Sequence, residues 1–211
     1  MSDQSYWDKQ HDKYLATDWI NKPSIFAEWV LQYFPPTGNV LDLGAGQGQD
    51  SAFFDATGYT VIATDFSPHA LQLAASKLPD DIALQQVDLS QPLPFDDSFF
   101  DVVYAHLSLH YFDEVTTGTL FSEIYRVLKP GGILAALCNS DQDPEIVEGK
   151  QLEPNFIELD GVHKRYFSAQ SAKSFARQFQ LIVADDQGTT YKDEAKGVHN
   201  LIRLVARKPA G

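Results

Sequence analysis

The chain holds one cysteine and one methionine in 211 residues. Cys138 has no second thiol to pair with, so an internal disulfide is excluded. Its place inside an apolar run marks it as a small buried hydrophobe rather than a nucleophile. Long apolar runs are missing as well. The stretch 133–138 is far shorter than the roughly 20 residues a membrane span requires, so no transmembrane helix and no membrane partner are expected. Residues 1–14 are polar, mix Asp with Lys, and lack the basic segment followed by an apolar stretch that marks a secretory signal. A cytoplasmic location is the expectation. Basic residues are scarce: 16 Lys and Arg stand against 29 Asp and Glu, a formal net charge of −13. Such a surface repels phosphate backbones and disfavours a nucleic-acid substrate. No H-x-x-x-H, cysteine pair or dense acidic loop occurs, so no metal is expected. Internal repeats and Gly/Ser linkers are absent too, and residues 1–211 read as a single domain.

What is there alternates. Residues 23–34 place Ile25, Phe26, Trp29, Val30 and Phe34 near helical spacing, with Pro35-Pro36 ending the helix. Val40-Leu41-Asp42-Leu43 is a short strand followed by a glycine-rich turn and a helix from Ser51 that stops at Gly58. Then come strand 59–64, helix 68–77, strands 82–87 and 100–104, helix 115–128, a turn at 129–132 and strand 133–138. Strands alternating with helices predict an α/β fold, a doubly wound and mainly parallel sheet covered on both faces. Residues 139–161 read as irregular. After them come a helix at 169–179 and two apolar strands, 180–184 and 200–206. The chain thus divides into a helical leader or cap (1–38), a core (39–138), a candidate lid (139–168) and a C-terminal helix with two strands (169–211).

The glycine turn, Gly44-Ala45-Gly46-Gln47-Gly48, lies where a strand hands over to a helix, and the missing Cβ atoms let the backbone approach a ligand. In the dinucleotide pattern G-x-G-x-x-G the third glycine would stand at position 49, which is Gln49; here the spacing is G-x-G-x-G. Asp42, just before the turn, would repel a pyrophosphate and could face an ammonium group, which favours a zwitterionic ligand over a polyanion. Asp65 and Asp88 end the next two strands. Each could be a mere helix cap or solvated strand end, but all three acids fall along one edge of such a sheet, where ligands bind.

This block resembles the motifs of class I (Rossmann-like) S-adenosyl-L-methionine-dependent methyltransferases, in order, over residues 40–139. The resemblance implies a seven-stranded sheet ending in a C-terminal antiparallel hairpin, with S-adenosyl-L-methionine as cofactor and S-adenosyl-L-homocysteine as product. It implies that Asp42, Gly44, Ala45, Gly46 and Gly48 form the cofactor turn. Asp65 would accept from both ribose hydroxyls, followed by Phe66 on the adenine and Ser67. Asp88 would accept from the adenine amino group beside the apolar Leu89. Phe100-Asp101-Val102-Val103-Tyr104-Ala105-His106 is similar to the family's fourth strand, which sets Ala105 and His106 beneath the sulfonium. Leu128-Lys129-Pro130-Gly131-Gly132 resembles the turn before the fifth.

Methyl transfer is an in-line displacement in which a positively charged sulfur becomes neutral, so alignment in a dry cleft can suffice and a base is optional. Where the acceptor must lose a proton, His106 and His110 are the catalytic candidates, with Tyr111 beside them; each could equally be a packing or hydrogen-bonding residue. Tyr6, Trp7, Tyr14 and Trp19 gather aromatic faces in the leader, which could close over the cofactor or simply pack on the core. Tyr6-Trp7-Asp8-Lys9 is similar to the openings of small-molecule methyltransferases of the thiopurine and tellurite-resistance kinds, which favours a small-molecule acceptor. Arg165, in the basic cluster His163-Lys164-Arg165-Tyr166, could meet an anionic group on that acceptor or lie on a solvated face. Two rival readings stay open: a non-catalytic protein that binds S-adenosylmethionine, and a nicotinamide-dependent oxidoreductase. The acceptor atom and the oligomeric state are not written in any motif.

Overall fold

The structure, a computed structural model, describes residues 4–15, 17, 20–190 and 199–210. It opens with α1 (Gln4–Tyr14) and α2 (Ile25–Val30). Ser24 caps α2: its Oγ accepts from the Ala27 N–H at 3.0 Å. The helix expected over 23–34 is therefore shorter, and it tightens into a single 3-10 turn at Leu31–Tyr33 before the two prolines.

Next in the chain are β1 (Asn39–Leu43), α3 (Gln49–Ala56), β2 (Thr60–Asp65), α4 (Pro68–Ala75), β3 (Ala83–Gln86), β4 (Phe100–His106), α5 (Glu114–Val127) and β5 (Leu128–Cys138). The C-terminal part adds β6 (Lys150–Glu153), β7 (Phe156–Leu159), β8 (Val162–Arg165), α6 (Ala169–Phe175), β9 (Gln180–Gly188) and β10 (Leu201–Arg207). Seven strands form one sheet in the order β3-β2-β1-β4-β5-β10-β9. The first five are parallel, and β10 runs antiparallel to both β5 and β9. The expected doubly wound sheet with a C-terminal hairpin is thus the observed one.

Strand alternation sorts the core into two faces. Leu41, Leu43, Val103 and Ala105 point to a cluster with Leu120, Phe121 and Ile124 of α5. Val40, Val102 and Tyr104 point to the opposite cluster, with Phe26 and Val30 of α2 and Phe54 of α3. Both faces are covered by helices, as a parallel sheet requires. The strand order reverses between β1 and β4, and at such a switch point the loops after neighbouring strands part in opposite directions and leave a crevice.

Two expectations are corrected. Residues 129–132 are not a free-standing turn but a bulge within β5: the register passes from Phe100 opposite Leu128 directly to Val102 opposite Ile133. The stretch 139–161, read as irregular, carries a 3-10 turn at Pro144–Val147 and most of a three-stranded antiparallel sheet, β6-β7-β8. Its strands are only four residues long and its second turn is Asp160-Gly161, with φ of +51° and +78°. Asp-Gly is a strong two-residue hairpin signal, and it was present in the sequence. Among the described residues no helix is long and apolar enough to cross a membrane, and no group of His, Cys, Asp and Glu could hold a metal ion.

Candidate active site

The glycine turn is shaped by three residues in the left-handed region: Gly44 at φ +76°, Gly46 at +58° and Gly48 at +81°. Gly44 and Ala45 both donate their N–H to the Thr64 carbonyl, at 2.9 and 2.7 Å, which ties the turn to β2. A Cβ on Gly44 would overlap the Ser108 side chain. Bare backbone is therefore required here by sterics, before any ligand is considered.

Asp65, at the end of β2, is held against this turn. Its Oδ2 accepts from the Gly46 N–H at 2.9 Å and its Oδ1 from the Ser67 N–H at 2.8 Å. Burial pushes its pKa up, opposed by the Ser67 hydrogen bond, by His11 and by the Gly46 bond. Asp42 is only 2% exposed and accepts from Ser51 Oγ at 2.6 Å. Burial pushes it up to about 8, against the pull of the Ser51 bond and with a further push from Asp50 and Asp65.

A cavity of 790 Å³ opens at the carboxyl ends of β1, β2 and β4. Of the residues singled out in the sequence, Asp42, Gly44, Ala45, Gly46, Asp65, Phe66, Asp88, Leu89 and His106 line it, as do Trp7, Tyr14 and Tyr111. Asp88 accepts from the backbone and hydroxyl of Ser90 through Oδ1, at 2.9 and 2.7 Å. The Trp7 ring meets Tyr111 edge-on, with centroids 4.7 Å apart. His106 Nε2 is buried without a hydrogen-bond partner among the described residues. Burial lowers its basicity while Asp50 opposes the shift.

Six of the singled-out residues do not line the cavity. Gly48 packs toward Leu78. Ser67 caps α4 by accepting from the Ala70 N–H and donates its own proton to Asp8 at 2.5 Å. Ala105 points into the core against α5, and Tyr6 lies edge-on to Trp7. His110 is buried away from the cavity wall, packed on Tyr111 with ring centroids 4.5 Å apart. Burial, with Lys164 and His106, lowers its basicity to about 3, which makes it a poor proton acceptor near neutral pH. Arg165 is 5% exposed. Its guanidinium donates to Glu153 at 2.5 Å and to the Phe112 carbonyl at 2.9 Å, so its charge is paired inside the fold. Lys164 pairs with Glu145 at 2.6 Å, so the basic cluster ties β8 to its neighbours. Trp19 lies outside the described residues.

Sequence reading missed the floor of the cavity. Asp50, in the first turn of α3, accepts from the Ser24 N–H at 2.6 Å, from Ser24 Oγ at 2.8 Å and from Tyr104 OH at 2.6 Å. These residues come from α2, α3 and β4, and no local motif links them. His11 and Gln49 also line the cavity, and each has a buried side-chain atom without a partner among the described residues. Those two and His106 are the residues with such atoms, and all three face the same space.

Residues 41–136 match a family model described as a methyltransferase domain. Among relatives, an uncharacterized methyltransferase of Synechocystis sp. is 38% identical over 100 residues, 47% of this chain and 46% of that protein. The 2-methyl-6-phytyl-1,4-hydroquinone methyltransferase of the same organism is 32% identical over 155 residues, 70% of this chain and 46% of that protein. The chain thus spans about half the length of these curated relatives. The crystal structure of Burkholderia thailandensis 1,6-didemethyltoxoflavin-N1-methyltransferase, with S-adenosylhomocysteine bound, superposes with a TM-score of 0.71 at 20% identity, covering 97% of this chain and 84% of that one. Motif order, sheet topology and these matches agree: residues 41–136 form a methyltransferase domain, and the chain has the fold of the class I methyltransferases.

Proposed function

We propose that this protein binds S-adenosyl-L-methionine in the 790 Å³ cavity and transfers its methyl group to a small-molecule acceptor. The observation that carries the reading is the Asp65 carboxylate, fixed by the Gly46 and Ser67 N–H groups at the edge of a turn that admits no Cβ at Gly44. Each of its oxygens keeps a lone pair for a ribose hydroxyl. Phe66, Asp88 and Leu89 would hold the adenine, and Asp42, Gly44 and Ala45 the methionyl end. Lining acids at 28, 50, 65 and 88 against the single lysine Lys22 suit a ligand bearing a sulfonium and an ammonium. The relatives that act on a hydroquinone and on a didemethyltoxoflavin support a small acceptor.

When bound, the cofactor supplies an electrophilic methyl on a cationic sulfur that departs as a neutral thioether. The protein's share is alignment and exclusion of water. Trp7, Tyr14, Tyr111 and Phe112 wall the acceptor side with apolar faces. His106 Nε2, buried and unpartnered among the described residues, would accept a hydrogen bond from the acceptor's O–H or N–H and take up the proton as the new bond to carbon forms. Within this reading residues 1–211 act as one cytoplasmic unit, with the leader and the β6-β7-β8 sheet bordering the acceptor side.

Calorimetric titration of the purified protein with S-adenosylmethionine and S-adenosylhomocysteine, with NAD as control and Asp65→Ala alongside, tests the cofactor assignment. Micromolar binding of both adenosyl ligands, absent for NAD and lost in Asp65→Ala, is the expected outcome. A folded wild-type protein that binds neither adenosyl ligand overturns it. Labelled-methyl assays over a panel of small phenols, amines and thiols then test transfer itself.

A further inference from the structure

His11 lies in α1, outside the stretch that carries the family motifs. It is 7% exposed, and Trp7 and Tyr14, four residues before it and three after, share its helical face. All three line the cavity. The His11 ring rests on the glycine turn: its Cε1 stands 3.1 Å and its Nδ1 3.8 Å from where a Cβ on Gly46 would be. Its main-chain carbonyl accepts from Gln47 Nε2 at 2.9 Å. Two more contacts seat α1 on α4, Asp8 with Ser67 at 2.5 Å and Asp12 with His69 at 2.7 Å.

Seated this way, His11 Nδ1 is buried with no hydrogen-bond partner among the described residues. A polar atom left unpaired in the interior is costly, so a ligand that supplies the partner gains from doing so. The ring stands next to the residue that holds Asp65, since the same Gly46 donates to the Asp65 carboxylate. Burial lowers the basicity of His11, against the opposing pull of Asp65, Asp8 and Asp12 and with a further push down from His69. The imidazole is therefore neutral near pH 7, a form that pairs with a hydroxyl through either a protonated or a bare nitrogen. A ribose hydroxyl that donates to Asp65 still has lone pairs to offer.

On the reading of the cavity as an adenosyl site, we propose that His11 is a second ribose-binding residue. Its Nδ1 pairs with a hydroxyl that Asp65 also holds, so that cofactor binding fastens α1 over the site. Because Trp7 and Tyr14 ride on the same helix, cofactor binding also steadies the aromatic wall of the cavity.

The test is calorimetry on the full chain with S-adenosylhomocysteine and its 2′-deoxy and 3′-deoxy analogues, comparing wild type with His11→Phe, which keeps a ring and deletes both nitrogens. Expected is a five- to tenfold weaker binding of S-adenosylhomocysteine by His11→Phe, on the order of one hydrogen bond. The penalty for removing one of the two hydroxyls should shrink by the same factor in the variant. His11→Asn, whose amide nitrogen stands near the place of Nδ1, should recover part of the loss. Amide hydrogen exchange in α1 should slow on adding S-adenosylhomocysteine to wild type and less so in His11→Phe. Equal deoxy penalties in wild type and His11→Phe, or α1 exchange indifferent to the ligand, overturn the proposal. A wild-type protein that binds no S-adenosylhomocysteine overturns the cofactor assignment itself, a different failure from a variant that binds as well as wild type.

Discussion

Tyr104 and Asp50, 54 residues apart in sequence, are joined by a 2.6 Å hydrogen bond under the cavity floor. Ser24 closes the triangle, 2.8 Å from the same carboxylate oxygen and 3.1 Å from the phenol. The start of α2, the first turn of α3 and strand β4 are pinned at one point. The phenol is fully buried and its proton is held tightly: burial and the neighbouring Asp50 both push its pKa well up.

Tyr104→Phe keeps the ring among Phe26 and Phe54 but removes a donor from a buried carboxylate. We expect a loss of about 1–2 kcal/mol in unfolding free energy. A denaturant curve that shifts by only a few tenths would show that Ser24 alone satisfies Asp50.

Gly44→Ala meets two obstacles at once, the positive φ and the Ser108 side chain. A cost of about 2–3 kcal/mol is expected, along with weakened adenosyl binding. Adding Ser108→Gly relieves the overlap but not the backbone strain, so the double variant should recover stability only in part. Full recovery would mean that φ carries no cost there.

Asp42 makes the free protein sensitive to base. Its folded-state value, about 8, lies above the ordinary 3.8, so the folded state retains a proton that the unfolded chain has released. Stability from this group is intact below about pH 4 and declines as pH rises toward 8. Asp65, raised in the same direction, adds to the trend. Asp42→Asn should flatten the fall in melting temperature between pH 5 and 8, as followed by thermal scans. An unchanged slope would assign the trend to other groups.

Arg165→Met separates a structural role from acceptor recognition. It leaves Glu153 without its buried partner, and a loss of about 2 kcal/mol is expected, below the value for a fully buried pair because Glu153 keeps about a third of its surface exposed. S-adenosylhomocysteine affinity should stay within twofold of wild type, roughly the scatter expected for a site that is not touched. A stable variant that binds the cofactor but fails with anionic acceptors alone would return Arg165 to the acceptor site.

His106→Phe should leave S-adenosylhomocysteine affinity near wild type and lower turnover about 100-fold or more for a protic acceptor, in the range for loss of a positioned proton acceptor. Equal turnover in the variant would leave alignment as the sole source of rate.

Much of the core was legible in the sequence because its signals are local. Alternating apolar residues at 40–43 and 100–105, a glycine turn with fixed spacing, and acids at strand ends each need only a few neighbouring residues. Together they anticipated the strands, their alternation with helices and the part of the cavity wall that lies at the strand ends. The Asp160-Gly161 hairpin was local as well and was missed because its strands are only four residues long and neither alternates apolar with polar residues. His110 and Arg165 differ: their residue types suggest chemistry, but the fold buries both and neither lines the cavity.

The order of strands along the chain and the conformations demanded of Gly44, Gly46 and Gly48 belong to the sequence by itself, since they follow from periodicity and from the missing Cβ. Only the tertiary structure decided that Asp50, Tyr104 and Ser24 would share a proton network, that His11 would lie on the glycine turn, and that Arg165 would be spent on Glu153. Those pairings join residues from different elements. Their partners are chosen by how the helices pack on the sheet, not by spacing along the chain.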